Sequence, residues 1–314
     1  MSQIQVNGPA TGPGVSTLAN QPPWLGLLAF FIPFMWKPVA HTMSVVNHTL
    51  VPGMGHYYSA GVIGVIGFIM VWTGFRKNEL TGTLYGFMGG SFIFMGLVEP
   101  SFWLFADLMN VAPLIVDGVY VLSPNLLLMQ ASATSFFVIL ILLGADKDTR
   151  CRMFLWFHRN FRLRPNPPTP GYRRQPARIA ALETIMISWF FYILIITLLD
   201  PRILGRDHPF TMFLFWAMLA WGLYLVAFKL AKFRAMGPAI RYAIPVAGIL
   251  WFNVEMAAQW KWLVELWIKP KDYPVEDVAF ALLFLVAMLI SNPPTADRGA
   301  GNAATTTPAG AADS

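Results

Sequence analysis

Apolar runs of about 20 residues recur along most of the chain, and each is long enough to cross the roughly 30 Å hydrocarbon core of a bilayer as a helix. Inside lipid every backbone N–H and C=O must find its partner within the protein, and a single apolar run meets that demand by coiling into a helix. The expected fold class is therefore all-α: a polytopic α-helical transmembrane bundle of about eight spans, seven being possible. The spans read as about 24–43, 54–75, 80–106, 122–144, 179–200, 209–231, 237–266 and 274–291. Composition agrees, since 56% of residues are hydrophobic and 12% charged, about half the charged content of a soluble domain. No large soluble domain fits between the runs.

Charge orders the spans across the membrane. Arg76 and Lys77 follow the second span, the Lys147–Arg178 block follows the fourth, and Lys229, Lys232 and Arg234 follow the sixth. Cytoplasmic loops carry the excess of Lys and Arg, so these three connections face the cytoplasm and both termini lie inside. The opposite connections are poorer in cations, although Arg202, Arg206, Lys269 and Lys271 weaken the contrast. The net charge of +6 is thus a topology signal: nine of the 22 basic residues sit in the one loop at 145–178. That loop suits anionic lipid headgroups, and nucleic acid is not an expected partner.

Residues 1–23 and 293–314 are rich in Gly, Pro, Ala, Thr and Ser and poor in large apolar side chains, and read as disordered tails around a membrane domain at 24–292. Residues 1–23 hold no Lys or Arg and show no secretory signal pattern, and the only cysteine, Cys151, gives no disulfide or metal spacing. The prolines between Arg164 and Arg178 predict an extended, exposed stretch. Internal repeats of the kind built into many transporters are not visible. Gly82, Gly86 and Gly90 stand four apart on the third span, with Ala60 and Gly64 on the second, which predicts close backbone approach between these two helices.

Against this apolar background a few ionisable residues stand out, because a charge at membrane depth costs roughly 2.5 to 3.5 kcal/mol on insertion scales. His41, His48, His56, Glu99, Asp107, His208 and Glu255 lie in or beside the spans, and the expected topology places them toward the outer leaflet. Glu99 and Asp107 share a helical stripe, which Pro100 should distort, but stand about 12 Å apart, too far to hold one ion between them. Glu255 and Gln259 share a face of the seventh span, near Asn253. Arg241 can snorkel to the cytoplasmic interface, Asp200 lies where water solvates it, and His158, among the arginines of the basic loop, is expected to be solvated.

Imidazole and carboxylate together suit copper, iron or zinc, with His41, His48, His56 and Asp107 as the candidate ligands and Glu99 and Glu255 as the catalytic or proton-carrying acids. None of the spacings matches a diagnostic metal motif. On this pattern the leading expectation is a metal-dependent oxidoreductase, or a subunit of one, in the plasma (inner) membrane, using copper or iron on a small apolar substrate that enters from lipid, with other membrane subunits as possible partners. Two alternatives use the same acids. One is a metal-free, acid-catalysed cyclase or isomerase of terpene type, and the other is a proton- or cation-coupled transporter.

Overall fold

The chain is described by a computed structural model covering residues 21–145, 155, 158–162, 169–171 and 175–291. The C-terminal tail, nearly all of the N-terminal tail, Cys151 and most of the basic loop lie outside the described residues. The apolar runs form helices: α1 (Trp24–Leu50), α2 (Gly55–Gly74), α3 (Glu79–Ile93), α4 (Glu99–Leu108), α5 (Pro124–Ala131), α6 (Ala133–Ala145), α7 (Pro176–Leu199), α8 (Pro209–Tyr224), α9 (Met236–Gln259) and α10 (Pro274–Ser291). A π turn, Phe94–Val98, joins α3 to α4 in one continuous helical course, and a second one, Leu225–Lys229, extends α8.

Among the described residues six helices, counting α3 to α4 as one and α8 with its extension as one, are long and apolar enough to cross a membrane. The α5–α6 pair, bent by 44° near Ser132, makes a seventh when taken as one broken span. The helix missing from this set is α9, at the position of the seventh expected span. Arg241, Asn253, Glu255 and Gln259 lower its hydropathy, and it is also the helix with the most buried residues. The two properties have one cause. A helix enclosed by other helices needs no lipid-soluble surface, so it can carry polar groups that an outer helix cannot.

Around α9 stand α1, α3, α7 and α8, with α2 outside α3 and α10 outside α1. One apolar core joins Leu25, Ile32 and Trp36 of α1 to Phe87 of α3, Ile240 and Ile244 of α9 and Phe284 of α10. A second joins Phe191 and Leu198 of α7 to Phe215 of α8 and Phe252 and Met256 of α9. Most large apolar side chains of α2, α6 and α10 point outward, as lipid-facing surfaces do, with Phe136 of α6 and Phe284 of α10 turned into the core.

Small residues set the closest approaches, because in lipid it is packing and not water exclusion that draws helices together. A Cβ at Gly67 of α2 would lie 2.6 Å from the carbonyl oxygen of Gly89 on α3, so these two helices are neighbours as expected. The Gly82, Gly86 and Gly90 stripe, however, turns mainly toward α7. A Cβ at Gly86 would fall 2.2 Å from the carbonyl oxygen of Ala177, and one at Gly90 2.7 Å from that of Ala181. The stripe therefore seats α3 between two partners.

Among the described residues one local element is a sheet and not a helix. β1 (Leu114–Val116) and β2 (Val119–Leu122) form an antiparallel hairpin closed by Asp117 and Gly118, both at positive φ (52° and 75°). An Asp-Gly pair accepts the two left-handed conformations that a tight hairpin turn requires, and β-branched residues flank it.

Candidate functional site

Lys37 lies halfway along α1, next to Pro38 and one turn after Pro33. Its Nζ donates to Ser188 Oγ of α7 at 3.3 Å and stands within electrostatic reach of both Glu99 and Glu255. One turn further on, His41 Nε2 is 3.4 Å from Glu255 Oε1 of α9. That same oxygen accepts from Trp251 Nε1, one turn back on α9, at 2.7 Å, and the Trp251 ring stacks on His41 with centres 5.9 Å apart. Tyr192 of α7 stands within electrostatic reach of Glu99 and lines the same cavity, and its ring packs on Phe94. Four helical segments thus converge: α1 brings Lys37 and His41, α4 brings Glu99, α7 brings Ser188 and Tyr192, and α9 brings Glu255.

The placement of Glu99 follows from Pro100. A proline has no N–H to give, and its ring collides with the carbonyl four residues back, so an ordinary α-turn is blocked there. The chain widens instead: the Glu99 N–H donates to the Phe94 carbonyl, five residues back, and closes the π turn. Such turns recur at functional sites because they re-aim the side chains that follow.

Between α1, α3, α4 and α7 lies a cavity of about 50 Å³ whose lining includes Lys37, His41, Glu99, Ser188 and Tyr192. It has room for a few water molecules, since one needs roughly 10–15 Å³ measured this way. The charged groups do not cancel in pairs. One ammonium faces two carboxylates, so the group is neutral overall only when it holds one further proton.

A second polar group sits where α1 passes into α2. The His48 and His56 ring centres are 4.6 Å apart, and the Trp103 ring of α4 lies 5.7 Å from that of His48. Next to them the Tyr57 hydroxyl donates to Asp107 Oδ2. Asn47 Nδ2 donates to the His56 carbonyl at 3.0 Å, and Ser59 Oγ donates to Asn47 Oδ1.

The residues expected to share one site therefore fall into two. His41, Glu99 and Glu255 belong to the central group, and His48, His56 and Asp107 to the second. His41 and His48 are seven residues apart on α1, roughly 10.5 Å of helix rise, which keeps them from binding one ion together. Among the described residues no three His, Cys, Asp or Glu side chains are arranged to hold a metal ion. Lys37, Ser188 and Tyr192 are central and were not anticipated. The signal for Lys37 is the same as for Glu99, a charge inside an apolar helix. Hydroxyls are too common in membrane helices to announce a role.

Three expectations outside these groups change. Asp200 is not solvated by an interface: it is 1% exposed and accepts from Arg202 Nη2 at 2.7 Å and from Gln130 Nε2 at 3.2 Å. The Arg202 hydrogen bonds hold its carboxyl below the usual aspartate range. Arg241 does not reach for the interface alone but bonds Glu79 Oε1 and Thr83 Oγ1 of α3, both at 2.6 Å. His158 is buried. In the segment after α9, beyond the candidate spans, burial and the neighbouring Glu255 push the Glu265 carboxyl up to about 7.

Comparison with protein-family models, with curated proteins and with solved structures finds no match to this chain.

Proposed function

We propose that this multi-pass membrane protein moves protons, with Glu99 and Glu255 as the proton-carrying groups and Lys37 as the cation they share. The topology in this reading is the eight-span one, α9 serving as an enclosed seventh span and both termini facing the cytoplasm, in the plasma (inner) membrane. The supporting observation is the convergence of Lys37, Glu99 and Glu255 from three helices, with Lys37, His41 and Glu99 lining a water-sized cavity and Glu255 held against His41 beside it. Ionisable groups in membrane helices are costly, face the bundle interior and mark ion or proton paths. The unpaired charge in this group supplies the reason for a proton to enter, and the cavity supplies space for water to deliver it.

The cavity size favours this reading over an enzyme acting on an apolar substrate. Small-molecule pockets run to roughly 300–1,000 Å³, several times the space between these helices. A terpene-sized or lipid substrate would need the bundle to open. In addition, Lys37 already supplies a cation within electrostatic reach of both carboxylates, the role an ion would take in a metal-dependent site.

The test is proton uptake into vesicles containing the purified chain, driven by a potassium diffusion potential and followed with an enclosed pH-sensitive dye. Wild-type protein should acidify the lumen well above protein-free vesicles, and Glu99→Gln and Glu255→Gln should each slow this at least tenfold at equal incorporation. Wild-type flux no greater than that of empty vesicles, or wild-type rates in both variants, would overturn the proposal.

A further inference from the structure

The second polar group has no part in this proton path, yet it brings two imidazoles together. His48, at the exposed end of α1, and His56, near the start of α2, have ring centres 4.6 Å apart. Two imidazoles on one tetrahedral ion, with metal–nitrogen bonds of about 2.0–2.1 Å, have ring centres roughly 5 Å apart. His56 Nε2 is shielded from solvent and finds no hydrogen-bond partner among the described residues. A ring nitrogen in that condition is costly unless something else uses its lone pair or proton.

The pair is also held in place. Asn47, the neighbour of His48, donates to the His56 carbonyl at 3.0 Å, and Ser59 donates to both that carbonyl and Asn47. These bonds tie the end of α1 to the start of α2, so much of the entropy of bringing two ligands together is lost on folding and not on binding. Asp107 lies nearby with Oδ2 already taken by Tyr57.

We propose that His48 and His56 form a binding site for a divalent first-row transition metal ion, Zn²⁺ or Cu²⁺, at the α1–α2 junction. Imidazole nitrogen is a favoured ligand for both, and water completes the coordination. The site is separate from the Lys37 group and does not rest on proton movement. A bound ion would pin the end of α1, the helix that also carries Lys37 and His41.

The experiment is calorimetric titration of Zn²⁺ into the purified, detergent-solubilised chain carrying no polyhistidine tag, with the electron spin resonance of bound Cu²⁺ as a second measurement. Wild-type protein should bind one ion per chain, and the Cu²⁺ spectrum should show two equivalent nitrogens. His48→Ala and His56→Ala should each weaken binding at least tenfold, while His41→Ala should change it less than twofold. Zn²⁺ should raise the thermal midpoint of wild-type protein but not of His48→Gln, whose exposed position makes it safe for folding. No saturable binding by wild type, unchanged affinity in both His48→Ala and His56→Ala, or loss in His41→Ala alone would overturn the site.

Discussion

Two kinds of ionic contact hold this bundle, and they differ in closure. At the helix ends the pairs are matched one to one and tight: Arg241 to Glu79 at 2.6 Å and Arg202 to Asp200 at 2.7 Å. At the centre Lys37 faces both Glu99 and Glu255, its hydrogen bond to Ser188 is 3.3 Å long, and His41 stands 3.4 Å from Glu255. The end pairs have no charge left over. The Arg241–Glu79 pair fixes α9 against α3, the Arg202–Asp200 pair closes the turn after α7, and neither has anything to exchange. The central group has more negative than positive partners and space beside it, so it has capacity to take up and release a proton. Loose geometry is a cost to stability and an asset to transfer.

The largest effect that can break this contrast is expected from Lys37. Lys37→Met removes a cation within electrostatic reach of two carboxylates, and because neither is in salt-bridge contact the cost should fall below the roughly 3–5 kcal/mol of a broken buried pair. Adding Glu99→Gln and Glu255→Gln to Lys37→Met should restore most of the lost stability while leaving proton uptake absent. Unfolding in detergent, followed by thermal midpoint, reads the first part. Equal instability of the single and triple variants would mean that Lys37 acts through its aliphatic stem and not its charge.

Much of this arrangement was legible in the chain, and the failures have physical causes. Glu99, Glu255 and His41 announced themselves by their cost in lipid, and the hydrophobic runs marked most of the helices within a few residues, although α1 runs seven residues beyond its expected end and α9 stops seven short of its own. Which face of one helix meets which neighbour is not written in any single run, so Ser188 and Tyr192 stayed hidden and His48 and His56 were grouped with His41. Pro100 signalled a distortion but not that a π turn would absorb it. The Asp117–Gly118 turn carries a strong local signal that the long apolar runs around it obscured. The low hydropathy of α9 was readable as a span with polar residues, but its enclosure follows only once the other helices are packed.

A smaller effect is expected at the buried end of a closed pair. Asp200→Asn keeps the shape but removes the charge that accepts from Arg202, and because Arg202 is 55% exposed, solvent screening keeps the loss small. The sign of the pH dependence follows from the lowered carboxyl. An unfolded aspartate titrates near 3.9, so this stabilisation is complete above about that pH and is lost as pH falls through the lower folded value. Thermal midpoints of wild type and Asp200→Asn should therefore differ at neutral pH and converge in strong acid. A gap that persists below both values would show that the substitution acts through the shape of the amide and not through the lost charge.

The smallest effect belongs to Glu79, and it separates charge from hydrogen bonding within one closed contact. Glu79 is 57% exposed, so its ion pair with Arg241 contributes no more than about 1 kcal/mol. Thr83, by contrast, is fully buried and accepts from Arg241 Nη1. Glu79→Gln should lower the thermal midpoint only slightly, and raised salt should shrink the difference further, because screening weakens an exposed pair. Thr83→Val should cost more, since it leaves a guanidinium N–H with no acceptor in the interior. Proton uptake should be unchanged in Glu79→Gln. If instead neutralising Glu79 slowed uptake as much as neutralising Glu99, then a closed end pair would be part of the conducting path, and charge balance would not be what distinguishes the two regions.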